Sequence, residues 1–151
     1  EQNPNGLNIK KEFGYESKFN QMVKIVDPRG FEAGNNPDDF TTWYDIDLSN
    51  GDRKREIAPE GKEISFTYDL GFQTKAVDAD GRTTLSKRIY RANGWDDVNV
   101  VLLNYHDTRT FDELGINVNA YVPDQNDDII VSINKSDLVG NTLEIIDPNG
   151  N

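Results

Sequence analysis

Cysteine is absent from the 151 residues of this chain, and histidine occurs once, as His106. The first absence excludes a disulfide framework, a thiolate zinc site and a cysteine nucleophile. His106 is followed by Asp107, but neighbouring residues of a strand point to opposite faces of the sheet. The two side chains are therefore not expected to form a catalytic dyad. The sequence also has no Gly-x-Ser-x-Gly elbow. A pair of carboxylates for glycoside hydrolysis remains an alternative, because acidic residues are numerous. We expect no catalytic residues and a chain that is not an enzyme.

Positive charge and long apolar runs are also scarce. The chain has 16 Lys and Arg against 27 Asp and Glu, which gives a formal net charge of -11. Such a polyanion is repelled by nucleic acid and by anionic lipid. No apolar run approaches the roughly 20 residues that span a bilayer, and no basic and then apolar signal segment opens the chain. We expect no nucleic-acid partner and no direct membrane insertion.

Helical periodicity is rare, whereas period-two alternation recurs. In "ISFTYDL" the residues Ile64, Phe66, Tyr68 and Leu70 share one face of a predicted strand. Similar patterns predict strands over residues 7–13, 19–26, 43–48, 85–90 and 116–122. Residues 98–105, "VNVVLLNY", are apolar on both faces and predict a central strand that is covered on each side. One short helix is predicted over residues 107–115, "DTRTFDELG", with a Thr or Asp cap and a terminal Gly.

Turn signals separate these strands. Asn-Gly steps begin at residues 5, 50, 93 and 149, and Asp80-Gly81 is a fifth reversal, because Asn, Asp and Gly tolerate the positive φ of tight hairpins. An apolar run followed by Asp-Pro-x-Gly occurs twice, in "VKIVDPRG" at 23–30 and in "LEIIDPNG" at 143–150. Each copy predicts the end of a strand and its turn. The second turn leads into a neighbouring domain, marks a domain boundary, or leaves a strand for a partner to supply.

Together these patterns predict an all-β fold, an antiparallel β-sandwich of the immunoglobulin-like or jelly-roll-like kind with about eight to ten strands and at most one short helix. Residues 1–151 are predicted to form a single domain, one module of a longer protein. Low Lys and high Asp and Asn contents, with many Thr, Tyr and Gly, favour an extracellular or cell-surface location.

Calcium is the one cofactor that the sequence suggests, because hard cations bind clusters of carboxylate and carbonyl oxygens. None of the dense acidic stretches completes the spacing of an EF-hand, and the alternative for each is a solvated loop or a hairpin turn. The candidate ligands come from "NNPDDF", "DADG" and "PDQNDD": Asp38, Asp39, Asp78, Asp80, Asp124, Asn126, Asp127 and Asp128.

Aromatic residues form the other candidate site. Exposed planar rings bind sugars by stacking, while buried rings fill the core. Trp43 lies off the alternating face of its strand, next to Tyr44, and Trp95 follows the Asn93-Gly94 turn, so each of these rings is a candidate for carbohydrate binding. The acidic chain would suit neutral sugars better than sulfated or uronic ones.

The strand and Asp-Pro-x-Gly pattern, together with "SDLVGNTLEI" at residues 136–145, resembles the immunoglobulin-like modules of bacterial and archaeal cell-surface and adhesin-type proteins. The resemblance covers about a third of the chain and implies a repeat or stalk module. The resemblance assigns no functional residues to this chain.

These observations lead to a functional expectation with two alternatives. We expect a non-catalytic extracellular module of a cell-surface protein for adhesion, display or spacing, monomeric in isolation, with a protein or glycan ligand and with calcium as an additional stabiliser. The first alternative is a carbohydrate-binding module of a secreted glycan-active enzyme. The second is a structural subunit of an extracellular filament or capsid that gives or receives a strand.

Overall fold

A computed structural model describes residues 9–120 and 128–148 of the chain. It contains ten strands and three short 3-10 helices. The strands are β1 (Glu12–Tyr15), β2 (Met22–Val26), β3 (Thr41–Ile46), β4 (Arg53–Ile57), β5 (Glu63–Asp69), β6 (Phe72–Val77), β7 (Thr83–Arg91), β8 (Gly94–Leu102), β9 (Ile129–Asp137) and β10 (Thr142–Ile146). The 3-10 helices are Pro28–Phe31, Pro37–Phe40 and Val118–Ala120.

The predicted all-β class is confirmed. The sheet order follows the chain from β1 to β10, and the described pairings are antiparallel. This order is that of a meander, in which each strand pairs with the next. It differs from the Greek-key order that the immunoglobulin-like and jelly-roll folds share, because the order contains no crossover.

The chain divides into two compact units between Phe66 and Thr67. We call the part before this point unit 1 and the part after it unit 2. The predicted single domain over 1–151 stays a prediction. None of the helices in the described part of the chain is long and apolar enough to cross a membrane.

The core of unit 2 lies on one face of β7, β8 and β9. Val98, Val100 and Leu102 are 0% exposed, so β8 is the deepest strand, as its apolar sequence predicts. Asn99 on the opposite face is exposed, which corrects the expectation that both faces are covered. Facing residues pack on β8: Leu85 comes from β7, and Val131 and Ile133 come from β9.

The segment after β8 covers this core without forming the predicted elements. Residues 111–115 form turns where a short helix was predicted, and Val118–Ala120 is a 3-10 helix where a strand was predicted over 116–122. Residues 121 and 122 lie outside the described part. Phe111, Leu114, Ile116 and Val118 all pack on the core, so their apolar spacing reflects a loop that covers a sheet.

Most of the turn predictions on described residues are confirmed. Asn50-Gly51, Asp80-Gly81 and Asn93-Gly94 each lie at a reversal between consecutive strands. The predicted turn at 27–30 is extended into the 3-10 helix Pro28–Phe31, because the Asp27 carboxylate accepts a hydrogen bond from the Arg29 amide at 3.0 Å. The Asn-Gly steps at residues 5 and 149 lie outside the described residues.

Candidate ligand-binding surface

Unit 2 carries a cluster of aromatic and charged side chains on the face of β7 and β8 opposite the core. The two-residue turn Ala92-Asn93 sets a register in which Tyr90 lies opposite Trp95 and Arg88 lies opposite Asp97. Because alternate strand residues share a face, these four side chains project from the same side of the sheet. Phe72 on β6 extends this row to a third strand, since Arg88 contacts its ring.

Hydrogen bonds and ring contacts fix this cluster, which we call the Trp95 platform (Phe72, Arg88, Tyr90, Trp95 and Asp97). Arg88 Nε and Nη2 donate to the two carboxylate oxygens of Asp97 at 2.7 and 2.9 Å. The Trp95 indole N–H donates to Asp97 Oδ2 at 3.2 Å. The guanidinium of Arg88 lies 5.0 Å from the Trp95 ring centre and 5.1 Å from that of Phe72. Both are cation–π distances.

The electrostatic consequence is a locally neutral platform. Hydrogen bonding to Asp97 raises the pKa of Arg88, while its partial burial acts in the opposite direction. A bidentate pair of this kind is strong and directional, so it holds the guanidinium in one place between the two rings. Tyr90 remains 78% exposed at the edge of the cluster. The platform therefore offers rigid rings and balanced charge to a ligand.

A cavity of about 290 Å³ lies at the Gly94 end of β8, and we call it the sheet-end pocket. Its walls include Arg91, Trp95 and Asp96 from the β7–β8 hairpin, with Lys135, Ser136 and Leu143 from β9 and β10. Trp95 also lines this pocket, but the Arg91, Asp96 and Lys135 side chains lie on the core face of the sheet, whereas the platform lies on the opposite face.

Paired charges also line the sheet-end pocket. Asp96 is 2% exposed, and its carboxylate accepts hydrogen bonds from the Arg91 guanidinium. Hydrogen bonding to Asp96 raises the pKa of Arg91. Lys135 Nζ pairs with Glu144 Oε2 at 2.6 Å. Each cation of the lining is thus compensated by a carboxylate.

A second cavity in unit 2, of about 350 Å³, lies between the β6–β7 hairpin and residues 108–112. Lys87 and Asp112, which both line it, form an ion pair at 2.6 Å. Its aromatic lining residue is Phe111, which packs on the core. This cavity lacks the exposed ring that the Trp95 platform provides.

The other two predicted sugar-binding residues lie in unit 1. Trp43 and Tyr44 are neighbours on β3 and therefore face opposite sides of it. Trp43 is 43% exposed, with Lys24 Nζ 5.6 Å from its ring centre. Tyr44 is half-buried under Arg53 at 4.3 Å, and burial raises its pKa. The structure thus places these two rings on different surfaces.

The predicted calcium ligands that the structure describes lie in separate turns. Asp38 and Asp39 are exposed in the 3-10 helix Pro37–Phe40. Asp78 closes its own hairpin turn, because its carboxylate accepts the amides of Asp80 and Arg82 at 3.1 and 2.8 Å. Within residues 9–120 and 128–148 no three acidic or histidine side chains are grouped as metal ligands. Asp124, Asn126 and Asp127 lie outside the described residues, so calcium binding stays a prediction.

Asp128, the remaining candidate ligand, takes part in an ion-pair network. Arg109 Nη2 lies 2.7 Å from Asp128 Oδ2 and 2.7 Å from Asp107 Oδ2. Hydrogen bonding to Arg109 lowers the pKa of Asp107. The carboxylate of Asp107 therefore pairs with Arg109, while the adjacent His106 is exposed and its backbone N–H donates to the Gly81 carbonyl at 2.8 Å.

The β9–β10 hairpin presents exposed apolar side chains. Leu138, Val139, Leu143 and Ile145 are 68%, 82%, 66% and 64% exposed. β10 is the last strand in the sheet order, so its outer edge has no partner strand among the described residues. We call this strand and its exposed side chains the β10 edge.

Sequence reasoning identified Trp95 but not its neighbours Arg88 and Asp97. The signal was partial, because the sequence predicts a reversal at Asn93-Gly94 whereas the two-residue loop is Ala92-Asn93, and this difference of one position decides that residues 90 and 95, and 88 and 97, lie opposite each other. Phe72 had no comparable signal, since the sequence around it did not predict a strand.

The sequence matches no protein-family model, and no curated protein matches it as a relative. The resemblance to immunoglobulin-like surface modules therefore rests on the quoted motifs alone.

Proposed function

We propose that this chain is a non-catalytic extracellular module of a cell-surface protein that binds a protein or glycan ligand for adhesion or display. The observation that carries the proposal is the Trp95 platform. Its rings lie on a sheet rather than on a loop, and Arg88, Asp97 and Trp95 hold one another through hydrogen bonds. Side chains that are already ordered lose little conformational entropy when a ligand binds.

The composition of the platform suits recognition. Tyr90 and Trp95 offer large planar surfaces with polar edges, which are enriched where proteins contact ligands. Exposed apolar residues on the β10 edge supply a second contact surface of the kind that marks interaction sites.

The second candidate is a carbohydrate-binding module of a secreted glycan-active enzyme. The directly opposed pair of Tyr90 and Trp95 favours it, because two rings on adjacent strands can stack on a sugar chain. The charge balance of Arg88 and Asp97 and the net charge of -11 both favour a neutral glycan. The two candidates share one binding surface and differ in the parent protein.

Binding to a panel of immobilised neutral glycans, with Trp95→Ala and Trp43→Ala variants, tests the platform. We expect Trp95→Ala to weaken binding by roughly tenfold to a hundredfold, since stacked aromatic residues dominate such contacts. Trp43→Ala is the matched control, because it removes a similarly large ring from unit 1 and should leave binding unchanged. Binding that survives Trp95→Ala and is lost in Trp43→Ala would overturn the proposal. Binding of protein ligands but no glycan would support adhesion over the carbohydrate-binding alternative.

Calcium is proposed as a separate stabiliser of the acidic loops. A ligand that binds only the folded state raises its stability, by about 2.7 kcal/mol at one hundred times the dissociation constant. We therefore expect a higher thermal midpoint in millimolar calcium than in EDTA. Equal midpoints would assign those carboxylates to turns and ion pairs alone.

A further inference from the structure

The β10 edge is the open side of the last strand of unit 2. β10 pairs with β9 on one side, and no described strand lies on its other side. Four of its five residues are exposed, whereas Ile146 packs on the core. The strand is therefore anchored in the sheet while its outer side stays accessible.

The backbone of Ile145 faces this open side. The Asp137 N–H donates to the Asn141 carbonyl at 2.9 Å across the β9–β10 turn. Because the backbone groups of alternate strand residues point the same way, Asp137 and every second residue before it face β10, whereas Asn134 faces β8. Ile145 lies opposite Asn134, so its N–H and C=O point away from β9. A further strand placed there can bond to both groups.

β10 lacks most of the features that protect an edge strand from pairing. It contains neither Lys nor Pro, and its one charged residue, Glu144, is paired with Lys135 at 2.6 Å. A register shift between Thr142 and Glu144 is a protective feature, but it leaves residues 144–146 in regular pairing. Leu143 and Ile145 are 66% and 64% exposed. The edge thus combines outward backbone groups with exposed apolar side chains.

We infer that the β10 edge binds an extended, basic segment of a protein partner as an additional strand of the sheet. The inference rests on the proposed function in its protein-binding form, and it adds the binding mode and the chemistry of the partner. In strand addition, main-chain hydrogen bonds supply affinity and alternate side chains supply specificity. A segment of about five residues, roughly 17 Å long, matches β10 in length, and its apolar side chains pack beside Ile145.

Charge complementarity favours a basic partner. Residues 135–147 contain three acidic residues and one lysine, and that lysine already pairs with Glu144. Hydrogen bonding to Asn141 lowers the pKa of Asp137, so this carboxylate beside the turn stays ionised at neutral pH. A Lys or Arg of the partner near the turn is therefore attracted, and the net charge of -11 adds a long-range attraction.

The same charges disfavour a second copy of this chain at the β10 edge. Pairing would bring together two chains that each have a net charge of -11. A symmetric contact of β10 with β10 would also place the same acidic residues near each other. The partner is therefore a different protein.

Hydrogen exchange of the ¹⁵N-labelled chain tests the inference. The probe is the peptide acetyl-Lys-Val-Thr-Val-Thr-Val-Lys-amide, which alternates apolar and polar residues between two cations. We expect it to slow exchange of the Ile145 amide about tenfold when roughly nine-tenths of the chain is bound, because only the free chain exchanges there. The Ile146 amide is the internal control, because it faces β9 opposite Ile133 and should change much less.

Two control peptides separate charge from strand pairing. A peptide with Glu in place of both lysines should bind at least about threefold more weakly, because like charges repel. A peptide that is N-methylated at its three central amides keeps its side chains but loses hydrogen-bond donors on both edges. It should leave exchange of the Ile145 amide unchanged.

A matched pair of variants tests the backbone contact at Ile145. Ile145→Ala and Ile145→Pro both remove the apolar side chain, but only Pro removes the N–H, which pairing with β9 does not use. We expect Ile145→Pro to weaken binding of the peptide about fivefold to tenfold more than Ile145→Ala does. Unchanged exchange of the amides of β8 confirms that both variants are folded.

The outcomes separate this inference from the proposed function. Strand addition fails if the first peptide does not slow exchange at Ile145, if the N-methylated peptide slows it equally, or if the two variants weaken binding equally. Equal binding of the Glu-ended peptide would overturn the basic character of the partner. Slower Ile145 exchange at higher concentrations of the chain alone would assign the edge to a second copy.

Trp95→Ala should leave binding of the peptide unchanged, because the Trp95 platform lies on other strands. Loss of peptide binding in this variant would place the peptide on the platform and overturn the inference. If the peptide does not bind but Trp95→Ala still weakens binding of a glycan or protein ligand, strand addition fails and the proposed function stands.

Discussion

Units 1 and 2 use the same alternation of strands and turns, but they bury their side chains differently. Seven buried apolar residues form the core cluster of unit 2. In the described part of unit 1, the buried apolar residues are Val26 and Ile46. Each of β7, β8 and β9 has nine residues, whereas β1 and β2 have four and five. Longer paired strands and a covering loop thus exclude more apolar surface from water in unit 2.

The two tryptophans show the same contrast. Trp95 in unit 2 is held by a hydrogen bond to Asp97 and by the guanidinium of Arg88. Trp43 in unit 1 has Lys24 at 5.6 Å and is 43% exposed. A similar residue in a similar strand thus gains a defined position where neighbouring strands supply partners. Because its ring is held in this way, Trp95 in unit 2 is the better candidate for ligand binding.

The largest expected effect comes from a cavity in the core of unit 2. Leu102→Ala removes a side chain that is 0% exposed and should lower the free energy of unfolding by about 2–5 kcal/mol. Leu48→Ala, at a residue 55% exposed in unit 1, should change it by less than about 0.5 kcal/mol. Guanidinium denaturation measures both values. Equal losses would break the comparison between the units.

The next effect concerns two turn glycines. Gly81 in unit 2 has φ of 85°, and a Cβ there would lie 2.5 Å from the His106 ring. Gly61 in unit 1 has φ of 76° with nothing within 4 Å of the added Cβ. Both alanine variants incur the strain of positive φ, about 1–2 kcal/mol. Thermal unfolding should show a further loss for Gly81→Ala, because His106 must move.

A matching loss in the two glycine variants would show that His106 moves without cost. In that case the loop after β8 is less firmly held than its contacts indicate. A larger loss of stability in Gly61→Ala than in Gly81→Ala would contradict the expected difference between the two turns.

A pH effect should follow from the Arg109 network. Hydrogen bonding to Arg109 lowers the pKa of Asp107 in the folded state. The carboxylate therefore contributes stability above its ordinary pKa of about 4, and this contribution is lost as the pH falls through the lowered value. Asp107→Asn should be less stable than the parent at pH 7, and the difference should shrink in acid.

Urea denaturation between pH 7 and pH 2 measures this convergence. Glu60→Gln, at an exposed turn residue of unit 1, serves as the control and should follow the parent throughout. A constant difference between Asp107→Asn and the parent would mean that the network does not depend on the charge of Asp107.

The smallest expected effect concerns the β10 edge. We expect the isolated chain to sediment as a monomer of 17.1 kDa, since a net charge of -11 opposes self-association. The Ile145→Lys variant should then sediment as the same monomer. A concentration-dependent oligomer that Ile145→Lys abolishes would instead support the filament-subunit alternative, with the β10 edge as the pairing strand.

Residue patterns identified the strands whose apolar alternation is strong. β5 occurs where "ISFTYDL" predicts a strand, and the turn between β9 and β10 lies within "SDLVGNTLEI", the stretch that resembles a strand-turn-strand ending. β4 and β6, "RKREI" and "FQTKAV", were missed because their few apolar residues give no clear period. Strand pairing with neighbours stabilises such segments, and a single sequence does not display that contribution.

The sequence by itself determined the all-β class, the main reversals and the depth of β8, because turn chemistry and alternation are local properties of the chain. It also singled out Trp95. Only the tertiary structure decided that residues 111–118 cover a core as a loop, that Arg88 and Asp97 contact Trp95, and that Phe72 contacts Arg88. Except for the hydrogen bond between Trp95 and Asp97 within β8, these contacts join different strands or segments, and they depend on pairing register and packing, which local sequence patterns do not determine.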